Sequence, residues 1–162
     1  MKRMLSFFLV CAVLLTVTAC TGKGGADGQA AFYYKRAQLS YGEADGVVTP
    51  EYRTVDRNGD MMALLNAYVD GPKVTELSNV FPLGCDVLWF SLEGEIATVH
   101  FNKAFDQVQG IAQTIACVCM SRTVMELTGA KRVRISAESI SFGGNEYLEF
   151  NGDSALYFDA GR

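Results

Sequence analysis

Residues 86–101, D-V-L-W-F-S-L-E-G-E-I-A-T-V-H-F, decide the fold of this chain. Two runs of apolar, aromatic and β-branched residues flank Glu93-Gly94, and such runs around a glycine-containing turn predict a β-hairpin. With Glu93 and Gly94 as the turn residues, the register of the two strands follows. The predicted opposite pairs are Leu92–Glu95, Ser91–Ile96, Phe90–Ala97, Trp89–Thr98, Leu88–Val99 and Val87–His100.

This register sorts the side chains onto two faces, because opposite residues share a face. The apolar face, predicted to join the core, holds Leu88, Phe90, Ala97 and Val99. The other face holds Val87, Trp89, Ser91, Ile96, Thr98 and His100, including the only tryptophan and the only histidine of the chain. An aromatic side chain on an uncovered sheet is typical of a binding hot spot, so Val87, Trp89, Ile96 and His100 form the candidate interaction face. The alternative is that a C-terminal hairpin or another strand covers this face.

Around the hairpin, the sequence pattern predicts the order β-β-α-β-β-α-β with a further β appendage. Strands are predicted at 31–40, 47–55 and 131–137. Pro50 makes the second an edge strand or one with a break, and the alternation of the third points Val133 and Ile135 inward. Helices are predicted from Met61 to a stop at Gly71-Pro72, and over 110–127 with Gly129 as the cap. A last hairpin is predicted at 147–158, turning at Asn151-Gly152. The fold class is therefore α+β, a mostly antiparallel sheet with two helices packed on one face.

The N-terminus predicts export. Lys2 and Arg3 precede an apolar run that is too short for a membrane-spanning helix and ends in Val17-Thr18-Ala19-Cys20, an arrangement typical of a signal peptide. The cysteine at this place resembles a bacterial lipobox, which implies cleavage before Cys20 and acylation of its sulfur. The alternative is an ordinary secreted protein whose cleavage site adjoins a cysteine. We assign 1–19 to a lipoprotein signal peptide and 20–30 to the lipidated cysteine with a glycine-rich linker.

Composition narrows the classes of partner. Removal of residues 1–19 leaves 143 residues, enough for one domain, with 12 basic and 18 acidic residues and a net charge of −6. A mildly acidic domain without a basic run argues against nucleic acid as a partner. The predicted place of the protein is the extracytoplasmic face of the cell membrane, where its lipid holds it.

Motifs for catalysis, metal binding or cofactor binding are not found. Cys85, Cys117 and Cys119 remain after export and acylation, and a helical spacing of two separates the last two thiols, so they cannot pair with each other. A thiol enzyme would have to join Cys85 to His100, the one histidine. The more common case is a packed thiol and a strand histidine. We therefore predict no enzymatic activity, no metal and no cofactor.

Several landmarks resemble the GerMN domain of spore germination and sporulation lipoproteins. They are Tyr52-Arg53-Thr54-Val55, Leu64-Leu65, Asp70-Gly71-Pro72, Phe81-Pro82-Leu83-Gly84, the strand 97–101 and the helix end with the following strand at 123–133. The likeness covers 31–137 and leaves 138–162 as a C-terminal hairpin extension. His100 departs from the family, which often has an acidic residue there. The resemblance implies a small α/β module similar to ring-building modules, without known enzymatic activity.

The expected function is a lipid-anchored, non-enzymatic assembly or interaction module of the cell envelope, in sporulation or spore germination. Its partners would be the membrane, through the N-terminal lipid, and envelope proteins, with self-association into a homo-oligomer left open. A small-ligand receptor for nutrients or germinants is the alternative, although the chain is too short for the two-lobed receptor type. Fold kinship alone does not decide between them.

Overall fold

The computed structural model describes residues 28–38, 47–56, 59–139, 142 and 144–156. The predicted signal peptide at 1–19, Cys20 and the predicted linker up to residue 27 lie outside the described residues. The elements in chain order are β1 (Gln29–Arg36), β2 (Val48–Thr54), α1 (Met61–Val69), β3 (Leu77–Ser78), β4 (Val87–Glu93), β5 (Ile96–Phe101), a 3₁₀ helix (Lys103–Gln107), α2 (Ile111–Thr128), β6 (Arg132–Ala137), β7 (Leu148–Asn151) and α3 (Gly152–Leu156).

The strands form two sheets. The first has the order β2-β1-β3 and is antiparallel, and the second has the order β4-β5-β6-β7. In the second sheet β5 and β6 run parallel, while β4–β5 and β6–β7 are antiparallel. A parallel pair needs a long crossover connection, and α2 provides it. The predicted α+β class and the mostly antiparallel pairing are confirmed, but the strands divide into two sheets instead of one.

Helix α2 packs against both sheets, chiefly against β1 in the first and β6 in the second. Every residue from Ile115 to Ser121 is buried, so the helix has no solvent-facing stripe in its middle. A helix that is apolar on all sides is buried on all sides. Gly129 ends it in the left-handed conformation with φ 73°, as the sequence predicted.

The first sheet is joined to the end of α1 by a buried arginine. Arg53 on β2 donates from Nε and Nη2 to Oε2 of Glu51 at 3.0 and 2.6 Å. Nη2 also donates to the hydroxyl of Tyr34 at 2.8 Å and to the carbonyl of Gly71 at 2.9 Å, and the guanidinium lies 4.9 Å from the ring centre of Phe32. One side chain therefore connects β1, β2 and the turn after α1.

Most predicted elements appear close to their predicted places. Helix α1 begins at Met61 after Asp60, whose carboxylate accepts from the N–H of Met62 at 2.9 Å. Strand β2, which contains Pro50, is an edge strand, and Val133 and Ile135 of β6 are fully buried. These predictions are confirmed.

The central hairpin turns one residue later than predicted. Glu93 pairs with Ile96, so Gly94 and Glu95 are the loop residues. Gly94 has a φ of 61°, a conformation that glycine adopts without strain at the first loop position. The change moves the turn by one residue on both strands, and each strand therefore keeps the predicted faces from residue 89 onward.

The predicted hairpin at 147–158 is wrong in its second strand. Strand β7 pairs with β6, but a short helix begins at Gly152. Asn151 explains the change, because its Oδ1 accepts from the N–H of Ser154 at 2.8 Å and so caps this helix instead of opening a turn. Residues 157 and 158 lie outside the described part of the chain.

Candidate functional site

The outward face of the second sheet brings the only tryptophan against the only histidine. Trp89 on β4 lies opposite His100 on β5, and His100 lies beside Ser136 on β6. The two rings stack with their centres 5.1 Å apart and an angle of 14° between the planes. Nδ1 of His100 lies 2.8 Å from Oγ of Ser136, which holds the imidazole in place. Trp89 nevertheless keeps 45% of its surface exposed.

A cation–π pair lies near this stack on the same outward face of the sheet. The guanidinium of Arg134 on β6 lies 4.7 Å from the ring centre of Tyr147. Its Nε donates to Oε2 of Glu149 at 2.8 Å, and Arg132 reaches the other oxygen of Glu149 at 3.3 Å. The bond from Arg134 holds the pKa of Glu149 below its usual value and raises that of Arg134. All three charged groups, Arg132, Arg134 and Glu149, are therefore paired.

A groove of about 440 Å³ lies between the Trp89–His100 stack and the Arg134–Tyr147 pair. Thr98, Ser136 and Ala137 line it together with Glu146, whose carboxylate has no hydrogen bond or ion pair to any described residue. Hydrogen-bonding groups beside exposed aromatic rings can hold a small polar ligand or a side chain of a partner protein. The volume is within the range of about 300–1,000 Å³ that small-molecule sites occupy.

Three of the four residues of the predicted interaction face lie on this outward face, and the fourth does not. Trp89 and His100 lie in the groove, whereas Ile96 lies four residues before His100 on β5, beside Arg132. Val87 is only 2% exposed and belongs to the core.

A β-bulge causes the error at Val87. Val87 pairs with Phe101 and Trp89 pairs with His100, so Leu88 is an extra residue on β4. An extra residue reverses the faces of the residues before it. Val87 therefore shares the inward face with Phe101, and Leu88, which the sequence placed in the core, is exposed.

Arg134, Ser136, Glu146 and Tyr147 are groove residues that the sequence did not predict. Alternation along β6 was visible, since inward Val133 and Ile135 leave Arg134 and Ser136 outward. Their position beside His100 depends on the parallel pairing of β5 with β6, which no local pattern indicates. Glu146 and Tyr147 line the groove from the two positions just before β7.

The cysteines and the histidine are not brought together. Cys85 packs in the core cluster, on the side of the sheet opposite the Trp89–His100 stack. Burial, with a smaller effect of the Asp86 charge, raises the pKa of the Cys85 thiol to about 12. Cys117 and Cys119 are free and fully buried on α2. Among the described residues, no group of histidine, cysteine, aspartate and glutamate is arranged to hold a metal ion.

A cavity of about 480 Å³ lies at the end of the first sheet, lined by Arg36, Thr49 and Glu76 among others. Nε of Arg36 donates to Oγ1 of Thr49 at 2.8 Å. Residues 39–46, which border it in sequence, are outside the described part, and we assign this cavity no role. None of the helices in the described residues is long and apolar enough to span a membrane.

Comparisons with known proteins identify the relatives of this domain. The family model Germane, described as sporulation and spore germination, matches residues 31–140. The fold is similar to that of the tandem GerMN domains of the sporulation protein GerM from Bacillus subtilis, with a TM-score of 0.50 and 17% identity over 74% of this chain and 43% of that chain. A candidate lipoprotein from Clostridium perfringens has a TM-score of 0.41 and 14% identity, over 83% of this chain and 93% of that one. The chain thus spans less than half of the GerM structure. No curated protein sequence matches it.

Proposed function

This chain belongs to the Germane family of sporulation and spore germination domains, and from that premise we propose that it is a lipid-anchored, non-enzymatic interaction module. It would work on the extracytoplasmic face of the cell membrane and bind other envelope proteins during sporulation or germination. Attachment would be through Cys20, which follows Val17-Thr18-Ala19 at the end of the apolar run. The glycine-rich linker would let the domain move above the lipid headgroups.

The observation that carries the interaction role is the exposed stack of Trp89 on His100. Tryptophan is enriched among the residues that dominate binding energy, and such residues lie in pockets surrounded by polar groups. Trp89 is half-exposed beside a groove that the polar side chains of Ser136 and Glu146 help to line. His100 is fixed by Ser136, so the stack is ordered before a partner arrives, which lowers the entropy lost on binding.

The absence of enzymatic activity is supported by the chemistry of the thiols. A catalytic cysteine reacts as its thiolate, and burial raises the pKa of Cys85 far above neutral pH. The imidazole of His100, which a thiol nucleophile would need, instead contacts Trp89 and Ser136. These contacts favour a binding role for the face over a catalytic one.

The test of the interaction role is Trp89→Ser in the tagged full-length protein, crosslinked in sporulating or germinating cells. We expect crosslinked complexes to be lost while the thermal midpoint of the purified variant stays close to that of the parent. Tyr52→Ser is the matched control, because Tyr52 is an exposed aromatic residue on the first sheet. A large drop in stability of Trp89→Ser, or equal loss of complexes in Tyr52→Ser, would contradict the proposal.

The anchor is tested separately with Cys20→Ala. We expect the parent to partition into the detergent phase and to incorporate labelled palmitate, and the variant to do neither. Unchanged partitioning of Cys20→Ala would remove the lipid from the proposal. Deletion of the gene, scored for sporulation and germination, tests the process in which the protein acts.

A second candidate function is the binding of a small ligand, which the groove between the Trp89–His100 stack and the Arg134–Tyr147 pair favours. Because Trp89 is the only tryptophan, the intrinsic fluorescence of the protein reports on this groove. A metabolite that changes the emission and raises the thermal midpoint in the parent, but not in Tyr147→Ala, would support a receptor. A screen without such a compound would leave the interaction role ahead.

A further inference from the structure

Strand β4 leaves most of its backbone edge unpaired. It is an edge strand of the second sheet, and α1 covers only its beginning. There the side chain of Asn66 imitates a neighbouring strand, since its Oδ1 accepts from the N–H of Val87 at 2.7 Å and its Nδ2 donates to the carbonyl of Val87 at 3.3 Å. From residue 88 to residue 93, no described element other than β5 hydrogen-bonds to this backbone. The free N–H and C=O groups of such an edge are a template for another strand.

The side chains of β4 are exposed on both faces of the sheet. Leu92 shares the inward face with Ala97 and is 46% exposed, whereas Trp89 shares the outward face with His100 and is about equally exposed. A partner resting on one face would cover only one of these residues. A strand lying beside β4 covers both, because its own side chains alternate between the two faces. Exposure on both faces therefore indicates strand addition.

The other edges of the described sheets are poorer templates. Strand β2 contains Pro50, β3 has two residues and β7 has four. Strand β4 has seven residues, V-L-W-F-S-L-E, with no proline, lysine or arginine and one acidic residue at its end. Proline and lysine are common devices against edge pairing, and β4 carries neither. Its one such device is the bulge at Leu88, which leaves residues 89–93 regular.

We infer that β4 pairs antiparallel with β4 of a second copy of this chain, with the twofold axis at Ser91, the centre of the regular residues 89–93. An isologous contact requires a surface that complements itself, and this strand does. The register places Phe90 opposite Leu92 of the second copy and Ser91 opposite its own counterpart. Glu93 then faces Trp89 of the second copy, so its charge meets no like charge across the pair. This contact goes beyond the proposed capture of other envelope proteins and does not need the lipid.

The register is tested by disulfide crosslinking of the mature protein. In the variant Ser91→Cys, the twofold axis places the introduced thiol directly opposite its counterpart in the second copy, within reach of a disulfide. We expect a disulfide-linked dimer under mild oxidation. The variant Leu92→Cys is the matched control, because residue 92 faces residue 90 and not itself. The native Cys85, Cys117 and Cys119 are buried and do not compete.

Sedimentation of the unmodified mature protein in detergent gives an independent measurement. We expect a monomer–dimer equilibrium in which Trp89 emission moves to shorter wavelength as the concentration rises. Leu92→Lys should shift the dissociation constant at least tenfold, whereas Leu83→Lys, at a 98% exposed leucine in a turn, should dimerise like the parent. A parent that stays monomeric, or equal crosslinking of Ser91→Cys and Leu92→Cys, would overturn the inference. The Trp89→Ser crosslinking result with other proteins would stand in either case.

Discussion

Replacement of Arg53 by methionine should be the most damaging single change outside the apolar core. The variant keeps most of the side-chain volume but removes the charge that neutralises Glu51, whose side chain is 7% exposed. It also leaves the carbonyl of Gly71 and the hydroxyl of Tyr34 without the guanidinium donor. Breaking a buried ion pair by removing one partner costs about 3–5 kcal/mol. Because the N–H of Lys73 still donates to Glu51, we expect the lower end, about 3 kcal/mol.

The assay is urea unfolding of the mature protein, followed by far-ultraviolet circular dichroism and by the emission of Trp89, which lies on the other sheet. A loss of this size is a large part of the total of about 5–15 kcal/mol that small domains have. Lys131→Ala, which removes the exposed pair of Lys131 with Glu95, is the control and should change stability by about 0–1 kcal/mol. The double variant Arg53→Met/Glu51→Leu should recover most of the loss, since no buried charge remains. The reasoning is refuted if Arg53→Met unfolds within 1 kcal/mol of the control, an amount typical of exposed pairs.

Three other predictions concern the backbone, alkaline pH and the thiols. Gly129→Ala should destabilise the protein by about 1–2 kcal/mol, because φ is 73° at this helix end and a side chain is strained there, whereas Gly152→Ala should be nearly neutral in the same urea titration. Burial raises the pKa of Tyr34 and of Tyr68 above 10.0. The stability from these neutral phenols is fully present below about pH 10 and is lost as the pH rises above it. Unfolding free energies that stay constant to pH 12 would therefore contradict the burial. Burial raises the pKa of both Cys85 and Cys117 to about 12. At pH 8 these two thiols should therefore resist iodoacetamide in the folded protein and react in urea, as mass spectrometry of labelled peptides would show.

Local patterns in the sequence were sufficient for α1, α2 and most strands. Asp60 before Met61 and Gly129 after α2 are signals that depend only on neighbours in the chain, and both helices follow them. The outward placement of Trp89 and His100 also came from local alternation. The landmarks at Arg53 and Gly71 were visible as well, and the structure gives their reason, a hydrogen bond between the two.

Long-range pairing was the part that the sequence could not supply. The bulge at Leu88 lies where β4 meets β5 and α1. Because of it Val87 is buried and Leu88 is exposed, the reverse of the predicted faces. The parallel pairing of β5 with β6 made half of the groove, with Ser136 beside His100. Asn151-Gly152 is ambiguous locally, because asparagine suits both a tight turn and a helix cap.

The position of α2 between the two sheets has a consequence for hydrogen exchange. Neither sheet can move away without uncovering this helix, since β1 packs on it from one side and β6 from another. Amide protons in its centre, around Val118 and Met120, should therefore exchange only through global unfolding, whereas local openings suffice nearer the chain ends. The slowest amides of the molecule would then report the full unfolding free energy from a single segment.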